Sequence, residues 1–192
     1  FEKEAALYMD VNHAVAMNSG TSANMLALAS LINLGMLKAG DEVIVPAATF
    51  SSVVSPIYQL GLVPVYVDVS EDDWFLDIDQ MVDACSEKTK VIMPVHLFGQ
   101  SCQMDEIMKI AKKYNLYIIE DNAQAHLASY NGKFTGTFGN INATSFYPTK
   151  NLGAIGEAGC ITTNDNNLAD YSKSYRNYGY SKKYECNIKG RN

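Results

Sequence analysis

The chain is short of basic charge, of cysteine and of long apolar runs, and each shortage removes a class of function. Lysine and arginine total 15 against 21 aspartates and glutamates, a formal net charge of -6. With no basic surplus to neutralise a phosphate backbone, nucleic-acid binding is not expected. The four cysteines, Cys85, Cys102, Cys160 and Cys186, make neither C-x-x-C pairs nor a disulfide-dense scaffold, which fits a reducing, cytoplasmic setting. His13, His96 and His126 share no ligand spacing, so no metal site is expected. No stretch approaches the roughly 18 to 20 apolar residues of a membrane span, and Phe1-Glu2-Lys3-Glu4 lacks the basic-then-apolar layout of a signal peptide. Asn142-Ala143-Thr144 matches a glycosylation signal only by chance. Several catalytic motifs are missing as well. Gly20 stands without the further glycines of a dinucleotide-binding turn, no G-K-[ST] follows it, and neither G-x-S-x-G nor H-E-x-x-H occurs.

What is present is enough apolar residue, 47% of 192, for one core of ordinary size. Short runs rich in β-branched residues at 14–17, 42–45, 63–67, 91–95, 117–120, 143–146 and 159–162 predict seven strands. Met25, Leu28, Ala29 and Ile32 repeat at helical spacing, as do Met104, Ile107, Met108 and Ala111, with Gly35 and Asn115 as stop signals. Residues 2–9 also read as helix. Strands alternating with such helices predict an α/β fold with a mostly parallel seven-stranded sheet covered on both faces. Residues 171–184, with five tyrosines, shift in composition and mark a departure from the sheet domain.

Ligands of such sheets bind beyond the carboxyl ends of the strands, which directs attention to the loops that follow them. After the first strand, Asn18-Ser19-Gly20-Thr21-Ser22-Ala23 runs straight into a helix, where free N–H groups, the helix dipole and two hydroxyls suit a phosphate. The same residues also serve as a simple N-cap through Ser19 or Thr21. After the second strand, Phe50 can stack on a flat heteroaromatic ring or fill the core. After the fifth, Glu120-Asp121-Asn122-Ala123-Gln124-Ala125-His126 offers a carboxylate that could pair with a protonated ring nitrogen, or cap a helix. His126 fits a structural role as well as a ligand role. After the sixth, Lys150 lies in a loop bounded by Pro148 and Gly153, where a partly desolvated amine could form an imine.

Taken in order, N-S-G-T-S-A, P-A-A-T-F, P-V-H-L-F-G-Q, E-D-N-A-Q-A-H and S-F-Y-P-T-K-N-L-G-A-I-G-E-A-G resemble the DegT/DnrJ/EryC1/StrS sugar aminotransferases along nearly all of the chain. The resemblance implies a fold-type-I enzyme that uses pyridoxal 5'-phosphate (PLP) to move an amino group from L-glutamate to a keto group of a nucleotide-linked deoxysugar. In it Lys150 is the residue that holds PLP as a Schiff base and then acts as the base. Asp121 partners the pyridine nitrogen, Phe50 stacks on the ring, and Gln124 lies beside the phenolic oxygen. Thr21, Ser22 and Ser145 contact the phosphate. Gly190-Arg191-Asn192 is similar to the start of a G-x-N-x-R stretch whose asparagine reaches the cofactor of the other subunit, so Asn192 and a homodimer enter the expectation.

The run after Lys150, with R-N-Y-G-Y-S-K-K-Y further on, looks more like the 3-ketosugar enzymes than the 4-ketosugar ones. Two rival readings are a PLP-dependent sugar 3-dehydratase and a non-catalytic PLP- or sugar-nucleotide-binding regulator. The dehydratases carry histidine at the lysine position, so Lys150 argues against the first, and the intact Lys150 and Asp121 pair disfavours the second. The resemblance also implies a fragment. Residues 1–180 would form the large cofactor-binding domain with N-terminal residues missing, and 181–192 would begin the connection to an absent small C-terminal domain. Ala158 and Leu127 stand where the family usually has glycine, which leaves the geometry of those two loops open.

Overall fold

A computed structural model describes residues 1–182, 185, 186, 188 and 190. In chain order it contains α1 (Glu2–Met9), β1 (His13–Met17), α2 (Gly20–Asn33), β2 (Glu42–Pro46), α3 (Ser51–Gln59), β3 (Val63–Val67), α4 (Ile78–Asp83), β4 (Thr89–Ile92) and α5 (Met104–Tyr114). Then follow β5 (Tyr117–Ile118), a hairpin of β6 (Ser129–Tyr130) and β7 (Lys133–Phe134), β8 (Asn142–Ser145), β9 (Gly159–Thr163), α6 (Asn166–Tyr175), and a second hairpin of β10 (Tyr180–Lys182) and β11 (Glu185–Cys186). All seven expected strands are present, although β4 and β5 end two or three residues early as regular pairing gives way to single bridges.

Strands β3-β2-β4-β5 pair in parallel, and β1-β9-β8 pair antiparallel through β9. The two groups are joined at Asp121, which bridges in parallel to Val95 on one side and to Ala143 on the other. Asn122 N–H donates to the Ala143 carbonyl, and Ala143 N–H to that of Glu120. The result is one sheet in the order β3-β2-β4-β5-β8-β9-β1, mostly parallel as the sequence predicts. Asp121 occupies its central seam.

Alternation along the strands builds a core on each face. Val43, Val45, Val91, Met93 and Ile119 pack with α2, α3 and α6, whereas Ile44, Ile92 and Ile118 pack with α4 and α5. Helix α5 shows why its residues form this element: Met104, Ile107, Ile110 and Ala111 make one buried face, Asp105 and Glu106 occupy the first turn, and Lys112 and Lys113 the last. Those charges complement the helix dipole, and Asn115 ends the helix in the left-handed conformation at φ 54°. Helix α2 is buried along most of its length, with Ala23, Leu26, Ala27, Leu28, Ala29 and Leu31 inside. Its placement fixes the loop before it.

Hairpin β6–β7 lies outside the sequence reading, yet its signal is local. Asn131 and Gly132, both at positive φ, form the two-residue turn. The four cysteines are unpaired. Among the described residues no helix is long and apolar enough to cross a membrane.

Candidate active site

The carboxyl ends of the parallel strands open on a cleft of about 480 Å³. Thr21, Phe50, Asp121, Gln124, Ser145 and Lys150 all line it, so six of the expected residues, drawn from four strand ends, meet in one place. Ser22 does not line it. Its hydroxyl accepts from Ser19 Oγ at 3.1 Å, its N–H donates to the same oxygen at 3.1 Å, and it borders a neighbouring cleft with Arg176. Asn192 lies outside the described residues.

One end of the cleft is the N-terminus of α2. Ser19 caps the helix, and Ala23 N–H returns to the Ser19 carbonyl. No acceptor among the described residues takes the N–H groups of Gly20 and Thr21. Two open N–H groups at the positive end of a helix dipole, with the Thr21 and Ser145 hydroxyls beside them, form a donor set that fits a phosphate. Capping by Ser19 therefore leaves these donors free. Gly20 is required by packing, because a Cβ there would lie 2.5 Å from Ser145 Cβ and 3.2 Å from Ser145 Cα. The helix and the end of β8 approach closely enough to present both hydroxyls together.

At the base of the cleft the two adjacent acids part company. Glu120 is fully buried and accepts from His96 Nε2 at 2.8 Å and from the backbone N–H groups of Gly136, Phe138 and Gly139 at 2.7, 2.6 and 2.8 Å. His96 Nδ1 accepts from Cys102 N–H, which places the ring proton on Nε2, facing Glu120. Glu120 thus ties the 136–139 loop to the sheet. Asp121 belongs to the cleft: its Oδ1 accepts from Ala123 N–H at 2.9 Å and its Oδ2 from Asn24 Nδ2 at 2.8 Å. No helix follows, so Asp121 closes a tight turn and is not a helix cap.

The remaining walls carry chemistry of other kinds. Phe50, at the start of α3, is 73% exposed at the rim, so it is no core residue and its ring is available to a planar ligand. Gln124 Oε1 faces Phe98 N–H at 3.5 Å across the cleft's edge. Lys150 is half-buried, with its N–H donating to the Tyr147 carbonyl, so Pro148 and Thr149 make a tight turn that presents it. Gly153 packs against the Pro148 carbonyl where a Cβ would collide, which keeps the loop folded back on itself. Tyr147, Thr149 and Glu157 also line the cleft and were not singled out in the sequence.

His126 supports this loop from behind and is not a cleft ligand. Its ring stacks on Phe146 with centroids 5.4 Å apart, and Nδ1 accepts from Leu152 N–H at 3.3 Å. Burial pushes its pKa below the usual imidazole value; the nearby Ser145 backbone works the other way, and the Lys150 charge adds to the lowering. Leu127 next to it stands at φ 61°, a left-handed conformation that costs an ordinary residue roughly 1–2 kcal/mol. The loop thus keeps a glycine-like geometry despite leucine. Ala158 has no positive φ and carries no such strain.

Asn24 is the main residue that sequence reasoning missed. It is 1% exposed, lines the cleft and holds Asp121. The available signal was a lone amide inside the apolar run of α2.

The cleft thus brings together the open N-terminus of α2, a carboxylate on the central seam of a mostly parallel sheet and a loop lysine. The chain belongs to the DegT/DnrJ/EryC1/StrS aminotransferase family, which it matches over residues 1–192. It is 41% identical over 192 residues to a dTDP-3-amino-3,4,6-trideoxy-alpha-D-glucose transaminase of Streptomyces venezuelae, covering 100% of this chain and 50% of that protein. It is 42% identical over 183 residues to a dTDP-4-dehydro-2,6-dideoxy-D-glucose 3-dehydratase of Saccharopolyspora spinosa, covering 93% and 39%. The crystal structure of S. venezuelae DesV in complex with a ketimine intermediate superposes with a TM-score of 0.93 at 41% identity, covering 100% of this chain and 50% of that one. The chain spans about half the length of the curated relatives it matches.

Proposed function

We propose that this chain is the cofactor-binding part of a PLP-dependent aminotransferase that moves an amino group from L-glutamate to a nucleotide-linked keto-deoxysugar. The observation that carries the reading is the convergence in one cleft of Lys150, Asp121 and the open N–H groups of α2. These donors and acceptors fit PLP: an anion site for its phosphate, a carboxylate for its ring nitrogen, an exposed aromatic for its ring face and an amine for its aldehyde. Bound PLP supplies an electron sink for the amino acid's α-carbon.

The residues of this chain supply the rest. Gly20 and Thr21 N–H, with the Thr21 and Ser145 hydroxyls, hold the anion and set the depth of the ring. Ser22 contributes through its place in the first turn. Asp121 keeps a proton on the ring nitrogen, and Gln124 lies beside the phenolic oxygen. Lys150 would hold the cofactor through its Nζ and, as the free amine, would carry the proton to and from the substrate's α-carbon. The run 151–159 after Lys150 supports a 3-keto over a 4-keto acceptor, and Lys150 itself supports transamination over 3-dehydration. Residues 1–180 act as the large domain, 181–192 lead towards a smaller one, and Asn192 contributes to the site of the other subunit in a homodimer.

The reading is tested on the full-length protein. Borohydride reduction with PLP followed by peptide mass spectrometry is expected to place the pyridoxyl group on Lys150, and label on another lysine overturns the assignment. Incubation with glutamate and matched 3-keto and 4-keto sugar nucleotides then identifies the acceptor. Sedimentation tests the dimer.

A further inference from the structure

Asn24 has an unusual set of partners for a residue in an apolar helix. Around it Ala23, Leu26, Ala27 and Leu28 are buried against the sheet, and nothing in the packing of α2 calls for an amide. Its Nδ2 donates to Asp121 Oδ2 at 2.8 Å and to the Ser52 carbonyl at 3.3 Å. Both partners are acceptors, so the amide can face them only with its NH2 group. The opposite rotamer would set oxygen against two oxygens. In the required orientation Oδ1 is buried and meets no donor among the described residues. A buried acceptor without a partner is a cost that native structures keep only where something else requires it. Here the requirement is the carboxylate that the NH2 group reaches.

We propose that Asn24 is a positioning residue, which together with the Ala123 N–H holds the Asp121 carboxylate in one orientation so that it keeps a proton on the cofactor's ring nitrogen. The inference rests on the PLP reading. Each carboxylate oxygen of Asp121 has one fixed donor, from α2 through Asn24 and from its own turn through Ala123. With both oxygens pinned, the carboxylate cannot rotate. Each oxygen retains a lone pair for a donor entering from the cleft. The Ser52 carbonyl, in the first turn of α3 and only two residues after Phe50, ties the same amide to the element that carries the stacking ring. Asn24 therefore sets the carboxylate in register with the ring-binding wall, as outer contacts orient the groups that meet a ligand directly.

The test uses the full-length protein loaded with PLP labelled with 15N at the ring nitrogen, whose NMR shift reports protonation at that atom. Asn24→Ala removes the donor, and the near-isosteric Asn24→Asp keeps the volume while replacing the donor with a second carboxyl group that must share a proton with Asp121. In Asn24→Ala the ring-nitrogen signal is expected to move towards the neutral form, in the direction of Asp121→Asn, with kcat reduced roughly 10- to 100-fold, the range typical of lost outer contacts. In Asn24→Asp the signal should become pH-dependent where that of the natural protein is flat. A lowered melting temperature with an unmoved ring-nitrogen signal in both variants assigns Asn24 a purely structural role and overturns the proposal. Failure of Lys150 to take up the borohydride label in the natural protein removes the underlying reading. A labelled Lys150 with unmoved signals removes this inference alone.

Discussion

Replacing Gly20 with alanine adds one methyl group at the tightest packing point of the cleft, and its effect can be worked from the structure. The new Cβ would lie 2.5 Å from Ser145 Cβ, 3.1 Å from Ser145 Oγ and 3.2 Å from Ser145 Cα. Ordinary carbon contacts fall at about 3.5–4.0 Å, so a gap of about 1 Å must open. Rotating the serine does not open it, because Cβ and Cα do not move with χ1. The N-terminus of α2 or the end of β8 must shift instead. Gly20 has no positive φ, so alanine meets no backbone penalty and gains at most about 1 kcal/mol of helix propensity. Overpacking costs about 1–3 kcal/mol and outweighs that gain. A shift of ~1 Å in the anion-binding groups is expected to lower activity about a hundredfold. Reconstitution of the apoprotein with PLP, followed by the rise in absorbance near ~420 nm, measures cofactor affinity, and thermal unfolding measures the stability cost. The same substitution in a Ser145→Gly background should cost far less, since its worst contact is gone. Equal losses in both backgrounds, or natural affinity in the single variant, would refute the reasoning.

Asp121→Asn is expected to bind PLP yet transaminate at least about a hundredfold more slowly, because a neutral amide does not hold the ring-nitrogen proton; near-normal turnover removes Asp121 from its role. Glu120→Gln places an NH2 group among four donors, so chemical denaturation should show a loss of roughly 3–5 kcal/mol, and a loss under about 1 kcal/mol, the worth of one ordinary hydrogen bond, contradicts the anchoring role. His126 supplies a pH dependence. Burial lowers its folded pKa, so the unfolded chain binds the proton more readily, and the stability tied to the neutral ring is fully present above the unfolded value of about 6.5 and lost as pH falls below it. Melting temperatures measured downward from neutral pH should therefore fall more steeply for the natural protein than for His126→Gln; parallel curves argue against the effect.

The strands were legible because their apolar runs are short, β-branched and separated by helices, and the site was legible because a parallel sheet gathers the loops after its strands. Legibility ended where the determinant is three-dimensional. The antiparallel direction of β9 leaves no trace in Gly159–Thr163, which is buried throughout whichever way it runs. Ser22 reads like Thr21 in the sequence, but one residue along a helix turns a side chain by about 100°, enough to carry it into the neighbouring cleft. Asn24 could have been flagged as a polar residue in an apolar stripe. Its partner could not, since Asp121 lies 97 residues away.

The pair Glu120-Asp121 shows most clearly how much the sequence decides. Consecutive residues of an extended segment point to opposite sides, so two adjacent acids at a strand end cannot both enter one cleft. One must face inward and be satisfied there or not form at all, since a buried carboxylate without donors is too costly. The glycines at 136 and 139 give the inward acid what it needs: they let the 136–139 loop pass against the sheet, where Gly136 sits at φ 77° and a Cβ on Gly139 would strike the Ile118 carbonyl. Their N–H groups, with that of Phe138 and the His96 ring, then surround Glu120. Burying Glu120 in this way leaves Asp121 as the acid available to a ligand. The assignment of Asp121 to the cleft thus follows from the fate of its neighbour, and the Gly136-x-x-Gly139 spacing is the feature of the sequence that carries it.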